Sequence, residues 1–366
     1  MTAKKNIHLV AAARPNFMKV APAWHALKAT TWANVQLVHT GQHYDANMSD
    51  TFFHDLGLPK PDFHLGIGGG SHAEQTGRVM IAYEALLKEH RPDLVIVVGD
   101  VNSTAACSMA AVKLHIPVAH LEAGLRSRDR SMPEEINRLI TDQIADILWT
   151  PSKDGDENLL KEGVPKERIS FIGNIMIDSY ELLRKPIEAS RTREQFHLAE
   201  SSYGVVTLHR PSNVDERAQL EPLLSALERI SQMLPLVFAV HPRTRQKLGE
   251  FGLEQRLLQN PAIHLVEPLS YIPFMGLVRE CRIAITDSGG LQEETTYLGI
   301  PCITLRENTE RPVTVTEGSN RLSNASGVVD LTTSLLRTQG RLGRCPELWD
   351  GHTADRLVAD LKRRMF

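Results

Sequence analysis

Several apolar runs in this 366-residue chain end directly on residues that can move protons or hold charge. The run Leu94-Val95-Ile96-Val97-Val98-Gly99 leads into Asp100-Val101-Asn102-Ser103-Thr104, and a later one ends in His120-Leu121-Glu122-Ala123-Gly124-Leu125-Arg126. Glu134-Glu135 follows Pro133 and opens a helical segment through Asn137 and Arg138. Asp100 and the Glu pair also have plain structural uses, the first as a helix cap and the pair as charges favoured at the start of a helix. Their convergence on neighbouring strand ends of one sheet makes them candidates for proton transfer.

Cations and glycines supply the other half of the chemistry. Ala13-Arg14-Pro15-Asn16-Phe17-Met18-Lys19 places a guanidinium and an ammonium at a strand-to-helix turn, a pair able to clamp phosphates; two solvated surface cations would read the same way. Leu208-His209-Arg210-Pro211 and Val240-His241-Pro242-Arg243 end two runs in His and Arg, which together fit an anionic ligand. In Thr286-Asp287-Ser288-Gly289-Gly290-Leu291-Gln292-Glu293-Glu294 a strand runs through Ser-Gly-Gly into a helix. Backbone N–H groups there can hold a diphosphate, glycine removes the steric obstacle, and Glu294 can accept from a ribose. Arg306 to Arg311 adds cations behind the next run.

Elements must carry these residues to one edge. Apolar runs at 7–13, 35–40, 94–99, 117–121 and 147–150 alternate with helix-period segments at 20–28, 73–90 and 104–115, which predicts one parallel α/β sheet. Runs at 204–209, 236–241, 263–266, 283–287 and 302–305, with helical segments at 216–233 and 244–259, predict a second. The join is expected between Gly173 and Pro186, where a strand ends and a polar stretch begins. In open α/β sheets ligands sit at the carboxyl ends of the strands, where the charged residues above fall.

Bulk properties narrow the class. A chain of 366 residues is long for one core, and 42% hydrophobic with 23% charged residues is ordinary for a globular protein. A net charge of −3 argues against a life on nucleic acid or anionic membrane. The apolar run near the amino terminus suits a buried strand better than a signal peptide, and no segment reads as membrane-spanning. Cys107, Cys281, Cys302 and Cys345 form no Cys-x-x-Cys pair, so reduced thiols in a cytoplasmic protein are expected. No Gly-x-Gly-x-x-Gly follows the first strand, which argues against a tightly bound NAD; no other cofactor and no metal is expected.

The ordered set of Arg14-Pro15 with Lys19, Gly99-Asp100, His120 to Arg126, Pro133 to Arg138, Leu208-His209-Arg210, Thr286 to Glu294 and Thr309-Glu310-Arg311-Pro312 resembles the non-hydrolysing UDP-N-acetylglucosamine 2-epimerases over nearly the whole chain. The resemblance implies a glycosyltransferase-B type fold, with two doubly wound Rossmann-like domains facing a central cleft. The domains would be 1–174, joined by a returning carboxyl-terminal helix at 353–366, and 175–352. It implies Asp100, Glu122, Glu134 and His209 as catalytic residues. Arg14, Lys19, Arg210, His241, Phe274, Ser288, Gly289, Gly290, Glu294 and Arg311 would bind the nucleotide sugar. It further implies a homodimer and, in some bacterial members, activation by a second UDP-N-acetylglucosamine, with Gln42, Gln75, Glu134, Arg210 and His241 as counterparts.

Departures touch the sugar. The usual Gly-Thr-Arg-Pro-Glu opening is Ala12-Ala13-Arg14-Pro15-Asn16, the Glu that usually follows Glu-Arg-Pro is Val313, and the stretch between Arg126 and Pro133 is short. The implied reaction is epimerisation at C2 through UDP elimination and readdition, with a modified hexosamine such as a diacetamido uronic acid as an alternative substrate. The rivals are a hydrolysing relative that releases N-acetylmannosamine, a glycosyltransferase on the same fold, and a non-catalytic sensor. The set Asp100, Glu122 and Glu134 speaks against a transferase, which needs fewer acids around C1 and C2.

Overall fold

Runs of Val, Ile and Leu become central strands where both faces of a sheet are to be covered. The computed structural model describes residues 4–12, 14–41, 55–338 and 342–366, without the side chains of Arg14 and Pro15. It forms two compact units, Met1–Leu182 with Glu347–Phe366, and Leu183–Pro346.

The first unit carries a parallel sheet of β1 (Lys5–Ala11), β2 (Ala33–His39), β3 (Phe63–His64), β4 (Leu94–Val98), β5 (Val118–Leu121), β6 (Ile147–Thr150) and β7 (Ile169–Phe171) in the order β3-β2-β1-β4-β5-β6-β7. The chain winds outward both ways from the β1/β4 pair, which makes that junction the topological switch point. Helices α1 (Arg14–Lys28), α2 (His72–Glu89), α3 (Asn102–Lys113) and α4 (Pro133–Ile144) cover it. The first helix begins at Arg14 rather than at residue 20, since Pro15 suits a first helical turn, so Lys19 sits on a helix and not in a turn. A capping box between Ser71 and Glu74 starts α2.

The join lies at Leu182/Leu183, inside the expected window, but Ile175–Leu182 and residues 347–352 belong to the first unit and not to the second. Hydrogen bonds give the reason. Ser179 Oγ donates to the Met18 carbonyl, and Asp178 accepts from the Thr353 and Ala354 N–H groups at 3.1 and 2.8 Å. The carboxyl-terminal helix Thr353–Met365 is anchored there by Trp149 Nε1, which donates to Asp360 at 2.9 Å, and by the fully buried Leu357 and Leu361.

The second unit repeats the plan with β8 (Gly204–Thr207), β9 (Leu236–Ala239), β10 (Ile263–Val266), β11 (Ile283–Thr286), β12 (Cys302–Leu305) and β13 (Asn320–Ser323), ordered β10-β9-β8-β11-β12-β13. Its switch point is β8/β11, registered from Ile283 opposite Gly204 to Thr286 opposite Thr207. Helices α5 (Arg217–Ser231), α6 (Pro242–Glu250), α7 (Glu254–Leu258), α8 (Tyr271–Glu280) and α9 (Gly289–Leu298) follow. The single helix expected over 244–259 is two, because Gly252 takes φ +67° between them. Cys107, Cys281 and Cys302 are buried thiols and Cys345 is exposed. Among the described residues no helix is long and apolar enough to cross a membrane.

Candidate active site

The first unit gathers its chemistry at the β1/β4 edge. Lys19 on α1 and Glu122 after β5 form a buried ion pair. Glu122 holds φ +76°, a left-handed conformation that costs a non-glycine residue about 1–2 kcal/mol; a carboxylate held against such strain is a mark of a functional position. Gly99, at φ +67°, leaves the room: a Cβ there would lie 3.3 Å from Glu122 Oε2 and 3.5 Å from Lys19 Nζ.

Asp100 does not cap α3, whose N-cap is Val101 without a side-chain bond. It pairs with Arg138 Nη1 at 2.5 Å, and Asn137 donates to its carbonyl at 2.9 Å. The neighbouring acids on α4 divide their roles. Glu135 is buried and accepts from the Ser127 and Arg128 N–H groups at 3.0 Å and from Arg138. Burial pushes its carboxyl up, but those N–H donors and Arg138 outweigh it and hold the group below the usual range. Half-buried Glu134 has no hydrogen bond or ion pair within the described residues, so its carboxylate is uncommitted.

Beneath this edge lies a support built on Asp142 and Glu162, which the sequence did not single out. His120 Nε2 meets the Gly99 carbonyl at 2.8 Å, and its Nδ1 meets Asp142 at 2.6 Å. Asp142 also accepts from Arg126, which pairs in turn with Glu162. Burial pushes the Asp142 carboxyl up, yet His120 and Arg126 hold it down. The turn before Asp100 is thereby tied to β5.

In the second unit Asp287, at the end of β11, reaches across the switch point to the end of β8. It accepts the N–H groups of His209 at 3.0 Å and Arg210 at 2.9 Å, the Asn213 amide at 3.1 Å, and the His209 imidazole Nδ1 at 2.7 Å. The His241 ring lies 5.5 Å from that of His209, and its Nδ1 accepts from the Arg243 N–H. Burial first, and then His209, lower the His241 pKa.

Helix α9 starts at the same edge, with Ser288 as an N-cap that makes no side-chain cap bond. Nothing lies within 4 Å of a Cβ at Gly290, whereas one at Gly289 would meet Arg311 Nη1 and Glu310 Oε1 at 2.9 Å. The Arg311 guanidinium is thus packed under the helix start, held by Glu310 at 2.7 Å and Glu293 at 2.8 Å. Arg306 shares Glu310 at 2.9 Å, and Arg210 approaches it at 3.9 Å. Three guanidinium groups, those of Arg210, Arg306 and Arg311, thus gather at the start of this helix, with Glu293 and Glu310 between them. Glu294 is buried and accepts from Tyr271 Oη at 2.7 Å; burial pushes its carboxyl up to about 7.

The sequence pattern of the UDP-N-acetylglucosamine 2-epimerases matches residues 25–362. A Methanococcus maripaludis UDP-N-acetylglucosamine 2-epimerase is 42% identical over 324 residues, 87% of this chain and 88% of the relative. The chain belongs to this epimerase family. The crystal structure of the Methanocaldococcus jannaschii UDP-GlcNAc 2-epimerase in complex with UDP-GlcNAc and UDP superposes with a TM-score of 0.90 at 38% identity, covering 98% of this chain and 99% of that one. A Pseudomonas aeruginosa UDP-2,3-diacetamido-2,3-dideoxy-D-glucuronate 2-epimerase is 40% identical over 318 residues, 86% of this chain and 87% of the relative. The two-sheet, glycosyltransferase-B type architecture expected from the sequence is the one this epimerase-family chain has.

Its sequence-predicted residues fall into two groups, one per unit. Lys19, Asp100, Glu122 and Glu134 stand at the first edge, with Gln75 near them but buried, its amide oxygen taken by Asn102 at 2.7 Å. His209, Arg210, His241, Ser288, Gly289, Gly290, Glu294 and Arg311 stand at the second. Phe274 is half-buried on α8, three residues beyond Tyr271 and so on its face of the helix. Gln42 and the Arg14 side chain lie outside the described residues. Sequence reasoning assigned no role to Asp287, Asn213, Glu310 or Tyr271, although Asp287 and Glu310 stand inside the motifs that carry the family resemblance.

Proposed function

We propose that the protein interconverts UDP-N-acetylglucosamine and UDP-N-acetylmannosamine. The C2 proton of the sugar is barely acidic and has no carbonyl beside it. The anomeric C1–O bond therefore breaks first, its electron pair leaving with the diphosphate, and the cationic character at C1 acidifies C2–H. A carboxylate takes that proton to give a glycal and UDP; delivery of a proton to the other face of C2 and return of UDP complete the inversion. Asp100, Glu122 and Glu134 supply proton transfer. Lys19, Arg311, the Ser288–Gly290 turn and His209 hold the diphosphate, and Glu294 takes the ribose.

The observation that carries this reading is the presence, on one family member, of a carboxylate edge containing the uncommitted Glu134 and of a glycine-opened strand-turn-helix edge that gathers Arg210, Arg306 and Arg311. It is supported by the 98% overlap with a relative crystallised with UDP-GlcNAc and UDP. The same reading takes the working form to be a cytoplasmic homodimer in polysaccharide biosynthesis, activated by a second UDP-N-acetylglucosamine. Incubation with UDP-N-acetylglucosamine should yield an equilibrium mixture of the two UDP-sugars. Accumulation of free N-acetylmannosamine and UDP would instead make the enzyme hydrolysing.

A second reading concerns the sugar. Asn16 stands where an acid is usual and spends its amide on the Val98 carbonyl, and Val313 is buried apolar surface where another acid is usual. Two negative charges are gone, which favours an anionic sugar such as the diacetamido uronate named for the Pseudomonas relative. A kcat/KM for that substrate above the value for UDP-N-acetylglucosamine would decide for it.

A further inference from the structure

Asp287 accepts from four donors on three residues of the second unit. Its side chain is 0% exposed, that of His209 is 36% exposed, and their contact at 2.7 Å joins residues from the two strands that flank the switch point. Two of its other donors are backbone N–H groups, which come only as donors, so they require an acceptor on Asp287. Burial pushes the carboxyl up, but the His209 imidazole and those N–H groups outweigh it and keep Asp287 below the usual aspartate range. An acid so held accepts from Nδ1–H of the ring. The other ring nitrogen, Nε2, has no hydrogen-bond partner among the described residues, and His241, the neighbouring ring, spends its own Nδ1 on Arg243.

We infer that Asp287 is a positioning residue of the reaction, locking His209 with its proton on Nδ1 so that Nε2 is the atom offered to an oxygen of the departing diphosphate. The inference rests on the proposed role of His209. In the forward direction Nε2 arrives protonated, and the carboxylate stabilises that imidazolium. As the C1–O bond breaks, its electron pair settles on the phosphate oxygen, which takes the hydrogen bond or the proton from Nε2. The return of UDP reverses the transfer, so no net proton is consumed. A carboxylate that merely tied the backbone at the end of β8 would have no stake in the ring's tautomer.

Long-range proton–nitrogen NMR on the full-length protein labelled with 15N-histidine, with the signal assigned by His209→Asn, reads that tautomer without reference to activity. The wild-type ring, when neutral, should carry its proton on Nδ1; a proton on Nε2 overturns the inference, whether or not any variant folds. In Asp287→Asn the amide can donate to Nδ1, so the ring should switch to the Nε2–H form. The kcat should then fall by about 10²–10⁴, with UDP affinity nearly unchanged. Asn213→Ala removes another donor to Asp287 without touching His209 and should leave kcat within about twofold. The double variant His209→Asn/Asp287→Asn should be no slower than His209→Asn alone. If His209→Asn epimerises at the wild-type rate, the proposed role of His209 falls and takes this one with it. If His209→Asn is slow while Asp287→Asn keeps the wild-type rate, the positioning role alone falls.

Discussion

Glu134 and Glu135 are indistinguishable as letters, and the helix that carries them decides between them. Successive residues on a helix point about 100° apart, so one carboxylate turns inward to Ser127, Arg128 and Arg138 while the other stays uncommitted. Replacing Asp100, Glu122 or Glu134 by its amide keeps size and hydrogen bonding and removes proton transfer. Turnover should fall by roughly 10²–10⁴ with little change in UDP affinity, as steady-state rates and calorimetric titration would show; Glu135→Gln should act mainly through stability. Glu294 makes a pH prediction. Its pKa is raised to about 7, so it is protonated below that pH and must ionise to accept two ribose hydroxyls. UDP affinity should therefore rise as pH climbs from about 6 to 8, with roughly half a proton released on binding near pH 7. Titration in buffers of different ionisation enthalpy measures that release, and it should vanish in Glu294→Gln. The acids of the first edge were legible as strand-end carboxylates. The hand Asp287 lends His209 was not, because its partner is 78 residues away and only the pairing of β8 with β11 brings them together.

The elements that hold the site are long runs or strongly punctuated ones, and these the sequence declares. The strand Leu94–Val98 is buried throughout, and Pro133 opens α4 where an N-terminal proline belongs. The edge strands β3 and β13 escaped notice because the first is two residues long and the second, Asn320–Ser323, carries only one apolar side chain. The helix expected over 244–259 broke at Gly252 because its apolar spacing continues through a residue whose backbone does not. At α9 the local geometry sets a test. Gly290 opens onto empty space, so Gly290→Asp should fold with an unchanged melting temperature. Its charge about 5 Å from a diphosphate repels by roughly 3 kcal/mol at an effective dielectric of ~20, so UDP should bind at least about a hundredfold more weakly. Gly289→Ala should lose stability as well, since its methyl group meets Arg311 and Glu310. Unchanged UDP affinity in a folded Gly290→Asp would remove this turn from the site.

At the scale of the molecule, two doubly wound units on one chain were readable from two series of apolar runs, and the family resemblance from the order of motifs along them. The membership of residues 347–352 was not, because it depends on Trp349 reaching the Pro151 carbonyl across 198 positions. What the whole chain is proposed to do is take the C2 proton off a nucleotide sugar and return one to the opposite face. That claim is tested most directly by running the reaction with UDP-N-acetylglucosamine in deuterated water and reading C2 of the sugar by NMR. Elimination and readdition predict deuterium at C2 of every UDP-N-acetylmannosamine formed, with its slower appearance in recovered UDP-N-acetylglucosamine; product that keeps its original hydrogen at C2 would contradict the account.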